Sequence, residues 1–243
     1  MNEPRAAAGI VFALSIEADA FARLVTDAVT TRGGGLEFHA GSLTGRSVAW
    51  CVAGVGRERA ARATRLLLDG HRPRRVISAG FAGGLDPAFQ RGLLVEPAAV
   101  RGEAAGAALP LGAGPVAAPR PLLVTLDRII RTQSEKEAVA HETGAGLVDM
   151  ETLAVATVAT DAGLPCHGLR VVSDAVDDEL PADVGRLIEP QSGARRAGTI
   201  LALLGRRPRA VADLWRLWER AVVDGRTLAT GLTRLIESIE PDG

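Results

Sequence analysis

Val148-Asp149-Met150-Glu151 and Val171-Val172-Ser173-Asp174 bracket the stretch that decides the fold. Each is an apolar run ending in acids, as expected where a buried strand gives way to a loop. Between them, residues 151–162 read as a helix closed by Gly163 and Pro165, the usual stop chemistry. Strand, helix and strand in that order form the unit from which helix-covered sheets are built.

The alternation extends toward the N-terminus. Short apolar strands are predicted at residues 10–14, 48–53, 75–78, 93–96, 122–126 and 169–172. Residues 57–69 read as an amphipathic helix with Ala60, Ala63, Thr64 and Leu67 inward and Arg57, Arg62 and Arg65 toward water. The Ala-, Gly- and Pro-rich stretch 104–118 reads as a loop, and no internal repeat is visible. The fold class is α/β, a single domain with a mixed or mainly parallel sheet. Residues 1–190 form the core, and residues 191–243 supply Arg-rich helices at 210–223 and 226–239 that pack on the core or on a partner. Trp215 and Trp218 share one face of the first of these, and membrane-surface contact by this basic end is the minority reading.

Composition limits the function classes. A chain of 243 residues with 47% hydrophobic and 23% charged residues fits one globular domain with a substantial core. Twenty-eight Lys and Arg against 29 Asp and Glu are too balanced for a nucleic-acid surface, which favours a small-molecule partner. Cys51 and Cys166 are expected as buried thiols of a reducing compartment. Arg5 and the apolar residues 6–14 outline a short signal peptide, but they run into Ser15, Glu17 and Asp19 without a cleavage site. A buried first strand centred on Ile10-Val11-Phe12 is the better reading. The apolar stretch 104–124 is broken by Pro110, Pro115, Pro119 and Pro121, so a soluble, cytoplasmic protein is expected.

Four strand-to-loop junctions carry candidate chemistry, since ligands of open α/β sheets sit at the carboxyl ends of strands. Residues 12–17 place Glu17 just beyond the first strand. Ala53-Gly54-Val55-Gly56 permits a tight turn, and Ser78-Ala79-Gly80-Phe81-Ala82-Gly83-Gly84-Leu85 reads as a glycine-rich loop that lets backbone approach a ligand. The acid pairs at 149–151 and 173–174 complete the set. Taken singly, Glu17, Asp149 and Asp174 are explained equally well as helix-start or capping acids.

Taken in order, the segments resemble the 5′-methylthioadenosine/S-adenosylhomocysteine nucleosidases and their superfamily, which includes purine nucleoside and uridine phosphorylases. Residues 13–17 are similar to the first-strand acid motif, Ala53-Gly54-Val55-Gly56-Arg57 to Ser-Gly-Ile-Gly-Lys, and residues 80–85 to Gly-Ser-Ala-Gly-Gly-Leu. Val148-Asp149-Met150-Glu151 is similar to Val-Glu-Met-Glu, and Ser173-Asp174 to the Ser-Asp that follows an Arg-bearing strand. Within the superfamily, residues 127–151, with Ser134-Glu135-Lys136 and Thr143-Gly144-Ala145, look closest to the hopanoid-associated phosphorylase-like subgroup.

The resemblance implies a three-layer α/β/α nucleoside phosphorylase-like fold with a helical C-terminal extension, and a nucleosidase that releases adenine from a 5′-substituted adenosine. By the same resemblance, Asp174 protonates N7 of the departing purine, oriented by Ser173. Glu151 holds the ribose hydroxyls and Glu17 activates water. Met150 packs on the sugar, Ile129 and Ile130 face the base, and Val55, Gly80 and Phe81 complete the pocket. Phe81 departs from the Ser that nucleosidases usually carry. No Gly-Asp-Pro segment follows the first strand, so phosphate finds few donors. A phosphorylase, including one acting on adenosylhopane, and a non-catalytic adenosine-binding protein remain as alternatives. The resemblance further implies a homodimer. No cofactor is expected, and His39, His71, His141 and His167 lack metal-ligand spacing.

Overall fold

A computed structural model of the protein describes residues 6–104, 106–117, 119–180 and 208–239, the last segment with side chains from Glu219 onward. Trp215 and Trp218 thus lie outside the residues whose side chains are described. Along the chain come β1 (Ala8–Phe12), α1 (Ser15–Ala22), β2 (Thr26–Gly33), β3 (Leu36–Leu43), β4 (Arg46–Val52), α2 (Arg57–His71), β5 (Val76–Gly84), β6 (Leu94–Val95) and β7 (Ala99–Gly102). They are followed by β8 (Leu109–Pro110), β9 (Leu122–Thr125), α3 (Gln133–Thr143), β10 (Leu147–Asp149), α4 (Thr152–Asp161), β11 (Cys166–Asp174) and α5 (Pro208–Glu237).

The strands form one mixed sheet in the order β2-β3-β4-β1-β5-β10-β9-β7-β8, with β11 paired to β5 and β6. Alternation along β1 divides the core. Ala8, Ile10 and Phe12 pack with Phe21 of α1 and with Leu228, Leu232 and Ile236 of α5 on one face. Val11 packs with Ala60, Ala63 and Leu67 of α2 and with Val155 and Ala159 of α4 on the other. Helices on both faces of a central sheet give the expected three layers. Ala60, Ala63, Thr64 and Leu67 are the buried positions of α2, as its periodicity predicts. Cys51 and Cys166 are free and buried, and burial pushes both thiols up to about 12.

Strand β5 organises the site. It pairs in parallel with β11 along one edge, from Val76 to Gly83. The other edge pairs with β1 up to Ser78 and with the antiparallel β10 at Gly83 and Gly84. The sheet therefore splits between β1 and β10, and the freed Phe81 N–H is taken by Glu17 Oε1 at 2.9 Å. A ligand cavity opens at this split.

Three expectations need correction. Of the glycine-rich residues 78–85, all but Leu85 are strand rather than loop, because β5 continues through Gly84 to meet β10. The helices expected at 210–223 and 226–239 are one continuous helix, α5. Gly225 lies inside it, where a Cβ would fall 2.9 Å from the Ile16 carbonyl, so glycine there permits the close crossing with α1. The described residues of the stretch 104–118 are largely irregular, as expected, yet Leu109–Pro110 pairs with β7.

Candidate active site

Residues at the carboxyl ends of β1, β5, β10 and β11 line a cavity of about 270 Å³, near the lower end of the roughly 300–1,000 Å³ usual for small-molecule sites. Glu17, Val55, Phe81, Ile129, Ile130, Met150, Glu151, Ser173 and Asp174 all line it. Gly80 instead borders an adjoining chamber of about 10 Å³, room for one water. Residues far apart in sequence thus converge on one cleft.

Glu17 lies in the first turn of α1 and is buried. Its Oε2 accepts from Ala13 N at 3.0 Å and Leu14 N at 2.8 Å, and its Oε1 accepts from Phe81 N. The helix-start reading is therefore correct as far as it goes, but the same carboxylate also faces the cavity. Burial raises its proton affinity above the ordinary carboxylate range, while these backbone donors and the charge of Arg170 oppose the rise. The result is a fixed carboxylate and a stronger base than one in water.

Glu151 stands at the N-cap position of α4, and its Oε1 accepts from Gly56 N at 2.7 Å. Gly56 has φ +102° and ψ 157°, a conformation available essentially to glycine alone, and it aims that N–H across the cleft. This explains the second glycine of the 53–56 turn. Burial pushes the Glu151 carboxyl upward, and the negative charge of Asp149 pushes in the same direction.

A register shift between Val172 and Asp174 marks a bulge at the end of β11, the kind of irregularity that re-aims side chains. Asp174 Oδ1 accepts from Ser173 Oγ at 2.6 Å. Its Oδ2 pairs with Lys136 Nζ at 2.7 Å. Lys136, from α3, is fully buried, and Nζ donates also to the carbonyls of Ala175 and Asp178. Residues 175–180, directly after Asp174, are not helical, so Asp174 caps no helix there.

Behind the cavity lies a buried polar network. Arg170 donates to Asp149 Oδ2 at 2.8 Å, to Ser78 Oγ and carbonyl at 2.7 Å each, and to Thr152 Oγ1. Asp149 also accepts from Thr125 Oγ1 at 2.6 Å and from Thr152 N at 3.0 Å, so for Asp149 the capping explanation holds. Arg170 Nε is buried without a partner among the described residues, and Arg170, Glu17 and Glu151 share the walls of the small chamber.

Sequence reasoning assigned no role to Lys136 or Arg170. One signal pointed to the lysine: of the 28 Lys and Arg residues, Lys136 is the single lysine. The signal for Arg170 is a charged residue inside an otherwise apolar strand, which requires a buried partner. Ile129 and Ile130 do flank the cavity, and Arg128 beside them is paired with Glu103 at 2.8 Å. His141 is exposed on α3 and does not line the cavity.

A 5′-methylthioadenosine/S-adenosylhomocysteine nucleosidase of Colwellia psychrerythraea is 36% identical over 94 residues, 39% of this chain and 39% of that protein. The chain thus spans about two fifths of that relative's length. A nucleosidase of the same name from a Shewanella species is 28% identical over 229 residues, 81% of this chain and 95% of that protein. A crystal structure of the Colwellia nucleosidase in complex with adenine superposes with a TM-score of 0.75 at 19% identity, covering 97% of this chain and 96% of that one. At that identity the likeness establishes the fold. The sequence profile of the phosphorylase superfamily matches residues 7–118 and 113–204, and the chain belongs to that superfamily.

Proposed function

We propose that the protein is a nucleosidase that hydrolyses the N-glycosidic bond of a 5′-substituted adenosine and releases adenine. The observation that carries this reading is the one-water chamber bounded by Glu17, Glu151 and Arg170, which shares Glu17 and Glu151 with the main cavity. It has room for one water and is too small for phosphate. The names of the Colwellia and Shewanella relatives support the same activity.

Each acid has a distinct task. Glu17 takes a proton from the attacking water, and a base whose proton affinity is raised by burial does so more readily. Glu151 accepts hydrogen bonds from the ribose hydroxyls and faces the positive charge that develops on the sugar. Asp174 gives a proton to N7, so that the base departs neutral. Ile129, Ile130, Val55, Phe81 and Met150 supply the apolar surface around the base and sugar.

The reading includes action in the cytoplasm as a homodimer without membrane contact. Among the described residues no helix is long and apolar enough to cross a membrane. Light scattering that returns a 25.3 kDa monomer at every concentration would remove the dimer from the reading.

The deciding assay measures adenine release from a panel of 5′-substituted adenosines with and without phosphate. Long apolar 5′ substituents belong in the panel, because residues 127–151 resemble the hopanoid-associated subgroup. Release in phosphate-free buffer, with the 5′-substituted ribose as the sugar product, is the expected result. Turnover only with phosphate, yielding the 5′-substituted ribose 1-phosphate, would overturn the hydrolytic reading.

A further inference from the structure

We propose that Lys136 is a positioning residue that decides which oxygen of Asp174 carries the proton delivered to the leaving base. This rests on the nucleosidase reading above. The Lys136 ammonium has three N–H donors and three acceptors: Asp174 Oδ2 and the carbonyls of Ala175 and Asp178. A donor-only group directed at Oδ2 excludes a proton there. The proton of a neutral Asp174 therefore resides on Oδ1, the oxygen beside Ser173 Oγ.

The step balances simply. The bond between the sugar and the base breaks with its electron pair going to the base. The proton on Oδ1 passes to N7, and Asp174 is left as a carboxylate facing an ammonium that is already in place. Ser173 Oγ, 2.6 Å from Oδ1, donates to a lone pair of that oxygen in both states, which leaves the acid proton free to point at N7.

The choice of lysine follows from the same geometry. A guanidinium carries five donors in a rigid fork, which three acceptors around a compact buried site cannot satisfy. In a chain that otherwise uses arginine for every basic residue, the single lysine occupies the site that only an ammonium fits. Lys136 does not line the cavity, so it acts through Asp174 and not on the substrate.

The test compares two leaving groups in the full-length protein. Adenine needs a proton to leave, whereas 4-nitrophenolate from 4-nitrophenyl β-D-ribofuranoside does not. Lys136→Met is expected to lower kcat for the adenosine substrate by about 10²-fold, the lower end of what a general acid contributes. Hydrolysis of the nitrophenyl riboside should stay within about threefold of wild type, which defective packing alone would not achieve. Lys136→Arg should behave like Lys136→Met.

If Lys136→Met fails to fold, Lys136→Met/Asp174→Asn removes both charges together and restores a foldable site. Its activity on both substrates should equal that of Asp174→Asn alone. Because Lys136 is the only lysine, selective 15N-lysine labelling gives one Nζ signal, expected to shift in Asp174→Asn. Equal loss on both substrates, wild-type adenine release by Lys136→Met or Lys136→Arg, or a double variant worse than Asp174→Asn would overturn the inference. Failure of wild-type protein to release adenine from any nucleoside would instead overturn the proposed function.

Discussion

A Cβ at position 80 would fall 2.7 Å from Glu17 Oε1, so glycine in β5 is what allows the Glu17 carboxylate to lie against the sheet. The contact is with a held group, since that carboxylate is bound by three backbone N–H donors. Gly80→Ala is expected to displace it and reduce kcat by about 10²-fold, the lower end of a general base's worth, while costing about 1–3 kcal/mol of stability as overpacking does. Steady-state kinetics and denaturant unfolding measure the two effects. Full activity in Gly80→Ala would mean that the position of Glu17 is unimportant.

Gly83 plays the matching part for Asp174, whose Oδ2 would lie 3.2 Å from a Cβ there. Asp174→Asn preserves the shape of the acid but cannot protonate N7. The expected outcome is substrate affinity within a few-fold of wild type and kcat lower by about 10²- to 10⁴-fold. Calorimetric binding and single-turnover kinetics separate the two. Unimpaired turnover would remove Asp174 from the mechanism.

The sequence made α2, α4 and the central strands legible because their apolar patterns are strong. Ala60, Ala63, Thr64 and Leu67 repeat at helical spacing, and β1 is wholly buried. The β2–β3 hairpin was missed because all eight residues of β2 are exposed, which leaves no alternating apolar signal. Its turn, Gly34-Gly35 with φ of +57° and +74°, carried the two-residue hairpin signature and was the available clue. Residues 78–85 were read as loop because glycine is poor in strands, whereas here Gly80 and Gly83 make way for two carboxylates. The acids themselves were legible as motifs, but the buried partners that hold them, Lys136 and Arg170, come from contacts distant in sequence.

Glu151 links the site to pH. Its folded-state proton affinity is raised above the ordinary value of 4.5 by burial and by Asp149. The folded state therefore binds more protons than the unfolded state above about pH 4.5, and stability falls as pH rises through the raised folded value. Glu151→Gln removes that contribution. It should melt higher than wild type at neutral pH, with the gain vanishing below about pH 4, where both states of the wild-type residue are protonated. Thermal unfolding across pH checks the sign: a gain largest in acid would contradict it. Substrate affinity and kcat should both fall, because the carboxylate is proposed to hold the ribose hydroxyls.

Arg170 and Asp149 form an ion pair with side chains 3% and 1% exposed, so solvent screens neither charge. Arg170→Met leaves Asp149 buried with only the donors of Thr125 and Thr152, and breaking a buried pair in this way costs about 3–5 kcal/mol. Asp149→Asn leaves Arg170 with its Ser78 and Thr152 contacts, so its cost should be the smaller of the two. The double variant removes both charges and should be more stable than the sum of the single losses predicts, with a coupling of about 0.5–3 kcal/mol. Activity should not recover with stability, because Arg170 also walls the water chamber and supplies positive charge opposite Glu17 and Glu151. A cycle of denaturant unfolding and adenine-release assays on the four proteins reads both quantities. Additive stability losses would show the pair to be energetically independent, and a double variant with wild-type turnover would confine Arg170 to a structural role.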